Sequence, residues 1–337
     1  QTRRIFERFY RELHRQFGDR IDQVYLGMVA DYGEIGYPIG MASWVVPSAH
    51  IHPGFWCADR QARQDFRERM LAQYGTLAAL NAAWGTAFAT PETIDYPPGL
   101  DAAGPPDEWL ASPRNRRRWL DFAAWYLQSM EQFAEEAVAI SRRYFPERPH
   151  ELKIGFGSEQ VCLGSDPTLY VSRSRPGRFT VRSTHGKLSP YFYRRFSSAA
   201  KHYAVPLVTE PPGSVSREEE VERLFKDATS GTTEYFEYAG NLIQASDLLR
   251  RFGPYMEGKH SLTNLAFFVP TADHRLHPRQ GNPMPVVRIA NACRDTFDWD
   301  LVDEQLVRDG ALERYGVLFL VAGNVIERDV LEQLAAW

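Results

Sequence analysis

Short apolar runs alternate with amphipathic helical stretches over the first 256 residues, and this alternation limits the fold more than any other feature of the sequence. Residues 3–17 place Ile5, Phe6, Phe9, Tyr10, Leu13 and Phe17 on one helical face, which Gly18 and Asp19 end. An apolar run at 24–30 then reads as a buried strand. It leads into a Gly-rich turn carrying Asp31, Glu34 and Tyr37-Pro38. Helical periodicity returns at 60–80 and, after a Pro- and Gly-rich loop, at 114–145, where Pro146 and Pro149 close it. Four more strand-like runs follow, at Leu152–Gly157, Phe179–Ser183, Val205–Thr209 and Thr232–Tyr238. Helical stretches at 190–202, 218–229 and 244–256 lie among and after them. That order predicts an α/β fold, a parallel sheet with helical cover. Polar residues just past strand ends build the sites of such folds; here they are Glu34, Glu159, His185 and Glu210.

A second unit begins near residue 262. LTNLAFFVPT reads as a strand, 286–295 as a helix, Asp300–Val307 as another short helix, YGVLFLVAG (315–323) as a strand, and the last residues as a helix. This is an open α/β pattern of flavodoxin type. It divides the chain into expected domains at 1–258 and 259–337.

Charge and composition narrow the function. A net charge of −4 gives no global attraction to nucleic acid or anionic lipid. No run of 18 apolar residues exists to span a membrane. Cys57, Cys162 and Cys293 are too scattered for a disulfide framework or a metal cluster. His50 and His52 lack an accompanying acid pair, so neither a metal nor a cofactor is expected. Aromatic residues make up 13% of the chain, a surplus that suits a cleft packing sugar faces on rings.

The two acids that most invite chemistry are Glu34, in A-D-Y-G-E-I-G-Y-P, and Glu210, in V-P-L-V-T-E-P-P-G. Each follows an apolar strand. Two carboxyl groups facing each other across the open ends of parallel strands are what glycosidic cleavage requires. One protonates the leaving oxygen, and the other attacks the anomeric carbon or activates water.

Residues 56–99 contain F-R-x-x-(M/L)-x-x-x-Y-G-T-L-x-x-L-N-x-A-W-G-T-x-F. This stretch resembles the insertion after the fourth barrel strand of glycoside hydrolase family 42, the β-galactosidase-like family. P-L-V-T-E-P-P-G-S-V-S resembles that family's seventh strand, and T-T-E-Y-F-E-Y-A-G-N would be the eighth. The resemblance implies a (β/α)8 TIM barrel of which strands four to eight are present, followed by a flavodoxin-like trimerisation-type domain. It implies Glu210 as nucleophile, a glycoside or oligosaccharide substrate, and a homo-oligomer, a trimer. The family's fourth strand ends in Asn-Glu-Tyr-Gly, whereas this chain has Ala30-Asp31-Tyr32-Gly33, and the family's zinc-binding cysteine cluster is absent. G-E-I-G-Y-P resembles the acid turn of the family 14 β-amylases. Asp31 and Glu34 therefore compete for the acid role. Glu34 is preferred for its longer arm and closer motif match, which leaves Asp31 as a supporting acid.

Further substrate-binding candidates are Tyr37, Trp44 beside Trp56, Arg182 and His185 at one strand end, and Glu237 and Asn241 at another. Alternation in T-E-Y-F-E-Y sets Glu234, Phe236 and Tyr238 on one side and Tyr235 and Glu237 on the other, without saying which side faces the barrel axis. If residues 24–30 form strand four, strands one to three lie outside this sequence. More residues are then expected on both sides of it, since five strands leave open edges. The leading expectation is a retaining glycosidase of a terminal β-linked, galactoside-like sugar. The alternatives are an inverting β-amylase-like enzyme and a non-catalytic carbohydrate-binding or assembly protein on a glycosidase frame.

Overall fold

Two parallel sheets organise the molecule. The computed structural model describes residues 2–27, 34–39, 54–101, 104–154, 161–174, 179–184, 189–211, 213–256, 261–278 and 283–337. The first sheet contains β1 (Val24–Leu26), β2 (His150–Ile154), β3 (Thr180–Thr184), β4 (Leu207–Glu210) and β5 (Glu234–Tyr235), hydrogen-bonded in that sequential order. The second contains β6 (Leu265–Val269), β7 (Asp300–Asp303) and β8 (Val317–Phe319), with β6 in the middle. Every pairing is parallel. Sequential order with helical crossovers is how a barrel wall is built. A central first strand flanked on both sides is how a doubly wound sheet begins.

The first sheet has one apolar face and one charged face. Val24, Leu26, Leu152, Ile154, Val181 and Leu207 alternate along their strands and enter the main core with Ala134, Ala137, Val138 and Ile140 of the helix Pro113–Arg142. Phe196, Ala199 and Ala200 of the helix Pro190–Tyr203 belong to the same core, as do Phe268, Val302 and Leu306 of the second unit. That helix therefore lies between the two sheets. Its arginines are buried and paired across the junction. Arg195 reaches Asp303 at 2.7 Å, and Arg194 reaches Asp298 at 2.8 Å. Breaking either pair would strand a buried charge.

The insertion between β1 and β2 has its own core of Phe66, Leu80, Trp84, Trp119, Phe122, Trp125 and Tyr126. Asp121 organises it, accepting hydrogen bonds from Trp84 Nε1 at 2.7 Å, Tyr74 Oη at 2.5 Å, Arg117 Nε at 2.9 Å and Gln73 Nε2 at 3.1 Å.

Three expectations change. The helix expected over 60–80 is two helices, Arg60–Tyr74 and Leu77–Trp84, because Gly75 adopts φ of 74° and Thr76 caps the second. Asp300–Val307 is not one helix. D-L-V-D is β7, buried throughout, and a helix begins at Glu304 behind a cap in which Asp303 accepts the Leu306 N–H at 2.9 Å. Four residues covered on both faces show no periodicity to separate strand from helix. The run Thr232–Tyr238 pairs as strand only at Glu234–Tyr235.

Candidate active site

The charged face of the first sheet carries the site. On β2, Leu152 and Ile154 point into the core, so Glu151 and Lys153 point the other way. Tyr25 on β1, Arg182 on β3 and Glu210 on β4 share that face by the same alternation and by the register Lys153 to Arg182 and Thr184 to Glu210. Glu34 joins them through Ile35, whose N–H donates to the Lys153 carbonyl at 2.8 Å while its side chain enters the core.

Lys153 brings the two acids together. Its Nζ lies 3.2 Å from Glu210 Oε1 and 3.8 Å from Glu34 Oε1, so those oxygens are at most about 7 Å apart, within the reach of a two-carboxylate glycosidase pair. Both acids are buried, at 3% and 4% exposure. Glu210 is held from three directions. Besides Lys153, Tyr238 Oη donates to its Oε1 at 3.2 Å, and Arg182 Nη1 stands 3.6 Å from its Oε2. Burial and the Glu210 charge push the Tyr238 phenol above its ordinary value, so it remains a neutral donor.

Arg182 is itself fixed. It is ion-paired through Nε with Glu151, and its guanidinium carbon lies 4.6 Å from the centroid of the Tyr25 ring and 4.0 Å from that of Phe236. Burial raises the Glu151 carboxyl, against the pull of Arg182. The face thus holds Glu34, Glu151, Glu210 and, at its exposed edge, Glu234 against Lys153 and Arg182. Tyr25, 44% exposed, is its most open ring.

The structure brings Glu34, Glu210 and Arg182 together and sets other candidates elsewhere. Glu237 and Asn241 lie on the opposite side of β5. There Glu237 is ion-paired with Arg223, and Asn241 bonds Glu237 and the turn after β4. Tyr37 packs in the insertion, stacked on Tyr126 at 4.6 Å, with Gly164 (φ 75°) leaving the space that its ring fills. Trp56 donates from Nε1 to the Pro38 carbonyl at 3.2 Å. Asp31, Trp44, His50, His52, Glu159 and His185 lie outside the described residues.

Lys153, Glu151, Tyr25, Phe236 and Tyr238 were not singled out from the sequence. Their signal was charge at alternate positions of E-L-K-I, an apolar strand with a polar second face. Cys57 is a single thiol pushed up to about 12 by burial, and no group of three potential metal ligands occurs among the described residues.

Residues 39–155 match the glycoside hydrolase family 42 model, described as β-galactosidase. The match covers about a third of the chain. No curated protein matches it. Among solved structures, the β-galactosidase from Bacillus circulans sp. alkalophilus aligns over 99% of this chain and 52% of its own, at 12% identity and TM-score 0.65. The β-galactosidase from Rahnella sp. R3 aligns over 99% and 52%, at 12% identity and TM-score 0.64. The catalytic domain of the β-amylase from Paenibacillus polymyxa aligns over 73% and 67%, at 19% identity and TM-score 0.59. The likeness is one of fold, that of the TIM-barrel glycosidases, and this chain spans about half the length of the two β-galactosidases.

Proposed function

We propose that this chain forms part of a family 42 glycoside hydrolase cleaving a terminal β-linked, galactoside-like sugar, with Glu34 as acid/base and Glu210 as nucleophile. The observation that supports it is the single ammonium shared by both acids. A Glu210 oxygen attacks the anomeric carbon as the bond to the leaving oxygen breaks, and the Glu34 proton passes to that oxygen. Glu34 then takes a proton from water, which attacks the anomeric carbon and releases Glu210. Lys153, Arg182 and Tyr238 orient Glu210 and balance the negative charge around it. Asp31, Trp44 and His185 remain assigned to the sugar by sequence. Residues 259–337 are read as the flavodoxin-like domain of a trimer, with residues 1–258 as the barrel domain.

Inversion is the second reading, supported by the fold likeness to the β-amylase domain. Retention expects carboxyl groups about 5 Å apart and inversion about 6.5–9.5 Å. Nitrophenyl β-galactoside hydrolysis followed by proton NMR tests both readings. The expected first product is the β-anomer, and Glu210→Gln lowers kcat by at least about 1000-fold without unfolding. An α-anomer favours inversion. Near-normal turnover in the variant removes Glu210 from the reaction, and binding of galactose without any turnover favours a non-catalytic protein.

A further inference from the structure

Directly behind Glu210 lies a second charged cluster, on the opposite face of β4 and β5. The helix Arg217–Thr229 supplies Glu220, Arg223 and Asp227, each at most 1% exposed. The Arg223 guanidinium reaches Glu220 at 2.7 and 3.1 Å, Asp227 at 2.8 Å, and Glu237. Two of the acids, Asp227 and Glu237, are tied to groups next to the site. Asp227 accepts from the Thr209 hydroxyl at 2.8 Å, and Thr209 precedes Glu210 in the chain. Glu237 accepts the Tyr238 N–H at 2.9 Å, and Tyr238 donates to Glu210. Asn241 donates to Glu237 at 2.9 Å and to the Gly213 carbonyl at 3.0 Å, and accepts the Val215 N–H at 3.2 Å, which ties down the turn after Glu210. The Phe236 N–H closes the circuit on the Thr209 carbonyl at 2.9 Å.

We propose that Arg223, Glu220 and Glu237 are positioning residues that set the Tyr238 hydroxyl on Glu210 and couple the protonation of the cluster to turnover. The proposal rests on the hydrolytic reading of the site. Structural cement would need one acid per arginine. Here three carboxylates surround one guanidinium away from water, an arrangement that must hold a proton or repel itself. Burial pushes Asp227 up to about 7. It pushes Glu237 up to about 7 as well, with Glu220 beside it adding to the rise. The groups facing these acids are Glu220 and Arg223 of the helix Arg217–Thr229, Tyr193 of Pro190–Tyr203, Thr209, Tyr235 and Asn241. With the proton present, Glu237 and Glu220 share Arg223 without repulsion. With it lost, the two carboxylates repel, and the backbone carrying Tyr238 moves with Glu237.

The test is the pH dependence of kcat on a nitrophenyl β-galactoside from pH 5 to 9. The expected wild-type profile falls above about pH 7. Glu220→Gln removes the carboxylate that raises Glu237 and repels it once ionised, so the fall above about pH 7 is lost. Arg223→Met lowers kcat at least 10-fold with KM nearly unchanged, and Arg223→Lys recovers part of it. An unchanged limb in Glu220→Gln overturns the proposal even if Arg223→Met fails to fold. If the wild type hydrolyses no glycoside, the hydrolytic reading fails separately. The network is then read from the fluorine resonance of 3-fluorotyrosine placed at 238. A resonance titrating near pH 7 in the wild type and shifted in Glu220→Gln supports the network, and one insensitive to pH overturns it.

Discussion

A lysine ammonium between two carboxylates changes what each acid can do. Two buried acids this close repel unless a cation or a proton compensates them. At Lys153 the compensation is a fixed charge, 3.2 Å from one acid and 3.8 Å from the other. Glu210 meets Arg182 and Tyr238 in addition. Replacing the ammonium with an apolar side chain of similar length, Lys153→Met, is expected to lower kcat/KM about 100-fold. The pH optimum moves upward, because losing a positive charge disfavours ionisation of the neighbouring acids. A pH–rate profile checks both. An unchanged optimum would mean that Lys153 does not act on the acids. Sequence reading singled out Glu34, Glu210 and Arg182, which the structure sets on one face, because acids and arginine at strand ends are conspicuous. It missed Lys153 because a lysine inside an apolar strand announces a polar face only once the neighbouring strands are in register.

Alternation along strands separated faces without naming them. T-E-Y-F-E-Y split correctly into two sets, yet only tertiary contacts put Phe236 and Tyr238 beside Arg182 and Glu210 and left Glu237 to Arg223. The long helix and the barrel-like strand order were legible from periodicity, whereas D-L-V-D was too short and too buried to read. The residue after that element, Glu304, accepts from Thr271 Oγ1 at 2.7 Å and the Ala272 N–H at 2.9 Å. Burial pushes this carboxyl up from 4.5 to about 7. An acid raised by folding stabilises the native state below its unfolded value and loses that contribution as pH climbs through the folded one. Between about pH 4.5 and 7 this residue therefore costs the protein about 3 kcal/mol, which Glu304→Gln should spare. Urea unfolding of both proteins at pH 5 and pH 8 checks it. The expected result is a variant that gains on the wild type at pH 8, and equal pH dependence would contradict the assignment.

At the scale of the molecule, the apolar face of the first sheet and the second sheet share one core across the helix Pro190–Tyr203, while the charged face is left to build the site. The insertion, with its own aromatic core around Asp121, matches family 42 in sequence, and the strand order matches that of the TIM-barrel glycosidases in fold. The central claim is that acids 176 residues apart in the chain serve one reaction. The most direct measurement is trapping with dinitrophenyl 2-deoxy-2-fluoro-β-galactoside followed by peptide mass spectrometry, in the wild type and in Glu34→Ala. The account predicts a 2-deoxy-2-fluorogalactosyl label on Glu210 in both proteins, released by azide as the 2-deoxy-2-fluoro-β-galactosyl azide in Glu34→Ala. A label on any other carboxylate, or none from an enzyme that turns over nitrophenyl galactoside, would contradict it.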